Sequence, residues 1–273
     1  MNRSITQYLK AKKHLVDKTL VSLLPPKEEY PASLHRAIHY SVEGGKRIRP
    51  ILALASCEAV GGSVGEILPA ACGIELVHAF SLVHDDLPCL DNDDFRRGRP
   101  TVHKKFGEAV ALLAGDALLN LGFELLLKSG KTSTQIRVIR ELSRAIGTYG
   151  MIGGQVAELE VDGKEPDLPK LEYIHSHKTG ALIAASLKIG ALLGGGSPKE
   201  VEELFKFGEY VGFTFQIVDD IMDGEGYSLL FEAKGAKEEA ERLTVKAKEH
   251  LKPFGKKGET LAALADFILN REE

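Results

Sequence analysis

Asp85, Asp86, Asp91, Asp93 and Asp94 crowd into one short stretch of this chain, and Arg96 and Arg97 follow at once. An apolar run from Ile74 to Val83 leads into it. That order predicts a helix with a buried face that delivers carboxylates to one mouth, closed by a basic turn. So many like charges repel unless a cation sits among them. Hard divalent ions such as Mg²⁺ prefer oxygen ligands and bind through a few carboxylates plus substrate phosphates. Arginines suit the phosphates themselves, through charge-assisted and often bidentate hydrogen bonds.

A second acidic cluster, Asp219, Asp220 and Asp223, lies far downstream. Asp219 and Asp223 share a helix face at this spacing, and like charges so placed destabilise a bare helix. A shared cation removes that penalty. Either cluster alone reads as readily as a solvated surface. Two of them, each ending an apolar helical pattern, favour a metal–diphosphate site.

The elements that must position these groups read as helices throughout. Apolar residues recur at three and four over 4–24, and Pro25-Pro26 stops the pattern. Further helical stretches run over 31–42, 51–60 and from 67 into the first cluster, where Ser63 to Glu66 has the form of a capping box. Others cover 109–128, 134–149, 150–161, a stretch opening at Pro169, 179–193, 199–222, 236–250 and 259–271. The 179–193 stretch is apolar nearly all round, which predicts a buried helix. No strand, hairpin, repeat or linker is legible. The expectation is an all-α chain, 1–273 forming a single domain, with its site built from side chains on facing helices.

Composition narrows the function. Basic residues number 35 and acidic ones 39, a net charge of −4, without the basic excess of a nucleic-acid binder. Cys57, Cys72 and Cys89 have no paired metal-type spacing and read as reduced thiols of a cytosolic protein. Cys89 lies inside the acidic stretch, but Mg²⁺ does not favour sulfur, so it reads as structural. Residues Met1 to Lys13 are polar and charged, unlike a signal peptide. No apolar run of about 20 residues suggests a membrane span, and Lys188 interrupts the best candidate, 181–193. A cytoplasmic protein with no membrane span is expected.

Five motifs in fixed order carry a resemblance: Gly44-Gly-Lys-Arg-Ile-Arg-Pro50, Asp85-Asp86 through Arg97-Gly98, Gly153-Gly-Gln155, Lys178-Thr179, and Gln216 with Asp219 to Asp223. Together they span nearly the whole chain. It resembles the trans-isoprenyl diphosphate synthases, the short-chain polyprenyl synthetases that include farnesyl and geranylgeranyl diphosphate synthases. The resemblance implies an antiparallel helical bundle around a deep cavity, and a homodimer. It implies Mg²⁺-dependent condensation of isopentenyl diphosphate with dimethylallyl or geranyl diphosphate, with three Mg²⁺ per active site when substrate is bound.

Residue roles follow from the same resemblance. Asp85, Asp86 and Asp91 would hold metal from one side and Asp219 from the other, with Asp220 and Asp223 as nearby ligands. Lys46, Arg49, His78 and Arg97 match the isopentenyl diphosphate site, and Arg96 adds charge at the allylic diphosphate. Lys178, Thr179 and Gln216 would sit near that diphosphate and the developing cation, with Gln155 on the cavity wall. Asp85, Asp86, Asp91, Lys178 and Asp219 are the catalytic set. Phe80 and Ser81, one helical turn before Asp85, would form the floor that limits product length. The longer Asp86-to-Asp91 spacing with an aromatic at this position resembles bacterial farnesyl-type enzymes, and geranylgeranyl diphosphate is the alternative product.

One departure stands out. After Asp223 the family carries a basic, glycine-containing loop that closes over the diphosphates. This chain has only Gly224-Glu-Gly226 before Tyr227, and the closing lysine has no counterpart. A non-catalytic or regulatory relative is therefore a second reading. A metal phosphohydrolase built on His78, His84, His103, Asp85 and Asp219 is a third, and it needs imidazoles at ligating positions. A cyclase would lack the isopentenyl site that Lys46, Arg49 and Arg97 supply.

Overall fold

The computed structural model describes residues 3–161 and 167–271. Helices make up 79% of the structure, as expected. In chain order they are α1 (Arg3–Leu23), α2 (Ala32–Val42), α3 (Ile48–Ala59), α4 (Val64–Asp85), α5 (Val102–Phe106), α6 (Glu108–Leu126), α7 (Thr132–Ile146), α8 (Met151–Val161), α9 (Leu168–Ile174), α10 (Ala181–Leu193), α11 (Pro198–Asp223), α12 (Tyr227–Glu249) and α13 (Glu259–Leu269). A π-helical turn, His175–Gly180, joins α9 to α10. A short hairpin, β1 (Phe95–Arg96) and β2 (Arg99–Pro100), stands where the sequence suggested no strand. Its two-residue turn, Arg97-Gly98, has positive φ at both positions, the geometry of tight hairpins. Arg97 in place of the usual asparagine hides that signal.

Backbone contacts sort the chain into two compact units. One comprises Lys10–Ile51 and Leu68–Gly130. The other comprises the described parts of Met1–Leu9, Leu52–Ile67 and Lys131–Glu273.

In the first unit, α4 is the core element. Ile74, Leu76 and Val77 are sealed from solvent, as are Leu118 and Leu126 of α6. Each such side chain contributes about 1.5–3 kcal/mol of burial. The two helices cross backbone on backbone: a Cβ on Gly73 would lie 2.6 Å from the Gly122 carbonyl oxygen. That crossing fixes the end of α4, where the first aspartates stand. The sequence reading of no membrane-length run needs correction. Both α4 and α6 are long and apolar enough by length and composition alone, because it sought a charge-free run whereas each carries isolated acids. The apolar window of α4 is 67% buried, which fits a core helix, against 39% for α6, which exposes Leu112 and Leu113.

In the second unit, α10 is buried on nearly every side, as its all-round apolar pattern predicts. Its one charge, Lys188, reaches outward to Glu141 at 2.8 Å and lies over the Phe205 ring. Helix α11 packs along α10 and starts with a full capping box between Ser197 and Glu200. Ile217, Val218, Tyr227, Ala236, Ala240 and Leu243 form a core between α11 and α12.

Candidate active site

The first acidic cluster forms where α4 ends. Asp85 is its last helical residue and is half-buried. The chain then folds back, and Asp91 N donates to the Asp85 carbonyl at 2.9 Å. Asp91, Asp93 and Asp94 are exposed. Asp86 differs, being only 3% exposed. Its Oδ1 accepts Arg96 Nε at 2.7 Å and Nη2 at 2.6 Å, and Arg96 also reaches Asp93 at 3.5 Å. Burial raises the Asp86 pKa, while Arg96 opposes that rise. The hairpin thus serves to bring Arg96 back onto the helix end. Asp86, Arg96, Arg97 and Arg99 line a small open cleft with Tyr40 and Glu43.

The glycine-rich turn before α3 separates its basic residues by direction. Arg47 has a positive φ and points inward, donating Nε to Asp17 at 2.7 Å and Nη1 to Glu75 at 2.8 Å, with Nη2 on the Val42 carbonyl. Lys46 is exposed. Arg49 Nη1 donates to His78 Nε2 at 3.3 Å. His78 is half-buried, and burial, then Arg49, Arg97, Arg96 and Arg47, hold its pKa well below the ordinary histidine range. A neutral imidazole among arginines is a hydrogen-bonding group in a positive field, suited to an anion.

Phe80 is buried on α4 with its ring edge against His84, centroids 4.9 Å apart. Ser81 is half-buried and donates its hydroxyl to the His78 carbonyl at 2.9 Å. His84 donates Nε2–H to the Leu112 carbonyl at 3.0 Å, and His103 is buried beside Thr101. The three histidines of the phosphohydrolase reading therefore serve separate local partners. Among the described residues no three histidine, cysteine or acidic side chains already converge on one point.

The second cluster ends α11. Asp223 is exposed and Asp219 is 28% exposed. Asp220 turns inward instead. Its Oδ2 accepts Tyr227 N at 2.8 Å and lies 3.3 Å from His175 Nε2, while Gln216 Nε2 donates to Oδ1 at 3.4 Å. Desolvation pushes the Asp220 pKa up to about 6 and the His175 pKa down to about 4. The αL residue Gly224 and this cap on Tyr227 make the short Gly224–Gly226 connection a tight turn into α12.

Lys178 and Thr179 sit on the π-helical turn, a distortion frequent at functional sites. Lys178 pairs with Glu158 of α8, and Thr179 donates to Gln216 Oε1 at 2.8 Å. The Gly153-Gly154 pair gains a reason here. A Cβ on Gly154 would lie 2.2 Å from Lys178 N, so only glycine admits this approach of α8. Gln155 is half-buried and its Nε2 is buried without a hydrogen-bond partner.

Sequence reasoning missed several partners. Glu158, which reads from the sequence as either a supporting or a purely structural acid, holds Lys178. His175 and Tyr227 hold Asp220. Arg271, just beyond α13, binds Asp219 Oδ1 at 2.7 Å and carries no local motif that would have flagged it.

The donor set tests the implied metal. Each cluster offers carboxylate oxygens at a helix end, partly open, and the one imidazole against them, His175, is buried behind Asp220. That suits a hard cation whose shell is completed by water and diphosphate oxygens, and Mg²⁺ fits.

An all-α fold with two carboxylate-rich helix ends and an arginine-lined turn defines a helical enzyme that handles diphosphates. A family model described as Polyprenyl synthetase matches residues 31–231. A heterodimeric geranylgeranyl pyrophosphate synthase large subunit from Arabidopsis thaliana is 44% identical, covering 97% of this chain and 79% of that protein. Farnesyl diphosphate synthase of Geobacillus stearothermophilus is 41% identical, covering 98% of both. Among solved structures, an FPP/GFPP synthase from Zymomonas mobilis superposes with a TM-score of 0.92 at 34% identity, covering 98% of this chain and all of that one. The chain belongs to the polyprenyl synthetase family. It is a short-chain trans-prenyltransferase of the farnesyl or geranylgeranyl diphosphate synthase type.

Proposed function

We propose that the chain elongates dimethylallyl and geranyl diphosphate with isopentenyl diphosphate and ends at farnesyl diphosphate. The observation that carries this product is Phe80, a buried aromatic one turn before Asp85 on α4. A growing chain that runs down that face of the helix would meet its ring. The Geobacillus relative, which matches end to end, is named for the same product. Geranylgeranyl diphosphate is the second reading, favoured by the names of relatives at 42–44% identity. Incubation with labelled isopentenyl diphosphate and each allylic diphosphate, read by product length, decides between them. Accumulation of the C20 product from the start would discard the Phe80 floor.

Bound Mg²⁺ would supply neutralisation of the charge that builds on the departing diphosphate. Asp85, Asp91, Asp219 and Asp223 are the most open of the proposed ligands, with Asp86 and Asp220 behind them, and three ions with substrate fit this many carboxylates. Arg96 adds fixed positive charge beside Asp86. Lys46, Arg49, His78 and Arg97 bind the second diphosphate without metal, and neutral His78 contributes a hydrogen bond rather than a charge. Lys178, Thr179 and Gln216 border the developing allylic cation. No side chain stands out as a base, so the released diphosphate takes the proton.

The alignment with the geranylgeranyl diphosphate synthase of Cyanophora paradoxa runs over 294 positions, more than the 273 residues here, so that relative carries insertions this chain lacks. A gap at the short Gly224–Gly226 turn would shorten the closing loop and lower water exclusion over the diphosphates. One domain over 1–273 is the reading we favour, because the family match runs through both compact units and each unit is built from several chain segments. The exposed leucines of α6 support a homodimer, and three free cysteines suit the cytoplasm.

A further inference from the structure

Arg271 lies just beyond α13, and its side chain is only 7% exposed. Its Nη2 meets Asp219 Oδ1 at 2.7 Å and donates to the Phe215 carbonyl at 2.6 Å. The guanidinium carbon lies 3.6 Å from the centroid of the Phe215 ring. Its Nε is buried without a hydrogen-bond partner. An arginine buried this deeply carries a large desolvation penalty unless it is well compensated. Here compensation comes from one carboxylate, one carbonyl and one ring face, all on α11. That carboxylate is Asp219, a proposed metal ligand.

A divalent ion on Asp219 would stand within a few ångströms of this guanidinium. At that range the two positive charges repel, the more strongly because the ion is divalent. The two cations therefore compete for one carboxylate. We infer that Arg271 is a tethered cation that holds Asp219 in the metal-free enzyme and withdraws when the divalent ion loads. The inference rests on the reading of Asp219 as a metal ligand. It gives the metal-free form a defined structure at the end of α11, at the expense of metal affinity.

The test uses the full chain, with Mg²⁺ titrated in the presence of inorganic pyrophosphate and followed by calorimetry, and thermal unfolding in EDTA. Arg271→Gln is expected to lower the EDTA melting temperature and to tighten Mg²⁺ on the order of tenfold, the size of a strong linkage term. Phe215→Leu, which removes the ring beneath the guanidinium, should tighten Mg²⁺ in the same direction and guards against misfolding of the first variant. Arg271→Lys keeps the charge and should lie nearer the parent. Unchanged or weaker Mg²⁺ binding in both Arg271→Gln and Phe215→Leu overturns the competition. Asp219→Asn separates the two ideas. If it weakens Mg²⁺ while Arg271→Gln has no effect, only the tethered cation fails. If it leaves Mg²⁺ binding intact, the ligand reading fails and the inference falls with it.

Discussion

Thr179 donates its hydroxyl to Gln216 Oε1 at 2.8 Å, tying the π-helical turn to α11 one turn before Asp220. The bond orients the Gln216 amide, whose nitrogen then faces Asp220. Thr179→Val keeps the shape and removes the donor. It should cost about 1 kcal/mol of stability, the usual worth of one such bond, and lower turnover by a larger factor than that. Urea unfolding and steady-state kinetics on the same preparation test this, and equal kinetics with and without the hydroxyl would separate the pair from catalysis.

Asp85→Ala and Asp219→Ala should each reduce turnover by roughly 10³-fold, the scale of losing electrostatic stabilisation of a departing anion. Asp219→Ala also strands the buried Arg271 guanidinium and should lower the melting temperature, so far-UV circular dichroism at the assay temperature checks that each variant is folded. A near-normal rate in either variant would remove that residue from the proposed metal set.

Lys46 and Arg47 are neighbours with opposite expected phenotypes. Arg47→Ala strands Glu75, itself 3% exposed, as an uncompensated buried charge, a change that costs about 3–5 kcal/mol. Lys46→Ala should leave the melting temperature alone and raise the KM for isopentenyl diphosphate. Thermal melts and KM values for both variants, compared side by side, settle which residue is structural.

Phe80→Ala opens a void in the first unit and should cost about 3–5 kcal/mol, as buried Phe truncations do. Its product should lengthen, read by chromatography of the dephosphorylated alcohols. A destabilised enzyme with an unchanged product would keep the packing role and move the length-limiting floor elsewhere.

Acid should destabilise the protein through His78. The unfolded imidazole titrates at its ordinary value of about 6.5, whereas the folded one is held well below it. Between those values the unfolded chain binds a proton that the folded chain does not, so stability falls as pH drops below about 6.5. His78→Asn should flatten the fall in melting temperature between pH 7 and 5. It will not abolish it, because His175 is depressed too, to about 4. Parallel slopes in parent and variant would contradict the neutral state of His78.

The sequence made the helices and the open carboxylates legible because both are local signals. Periodicity marked α10 and α11, and clustering marked Asp85 and Asp219. What it could not convey was direction. Asp220 and Asp86 look like their neighbours in sequence, yet one caps Tyr227 and the other pairs with Arg96. Those partners depend on a tight turn and on a hairpin with an unusual turn residue. Glu158 and Arg271 are remote from the groups they hold, and no spacing rule links them. The π-helical turn likewise leaves no periodic trace, since one extra residue shifts the register only locally.

The inward Arg47 has one more consequence. Its three anchors, Asp17, Glu75 and the Val42 carbonyl, fasten the glycine-rich turn from beneath before any ligand arrives. Lys46 and Arg49 flank this anchor along the same turn. On the proposed reading of Lys46 and Arg49, an incoming diphosphate would meet a preorganised cradle and would not have to freeze a loop. Capture should then be governed by diffusion through the arginine field, a process that weakens as added salt shortens the Debye length.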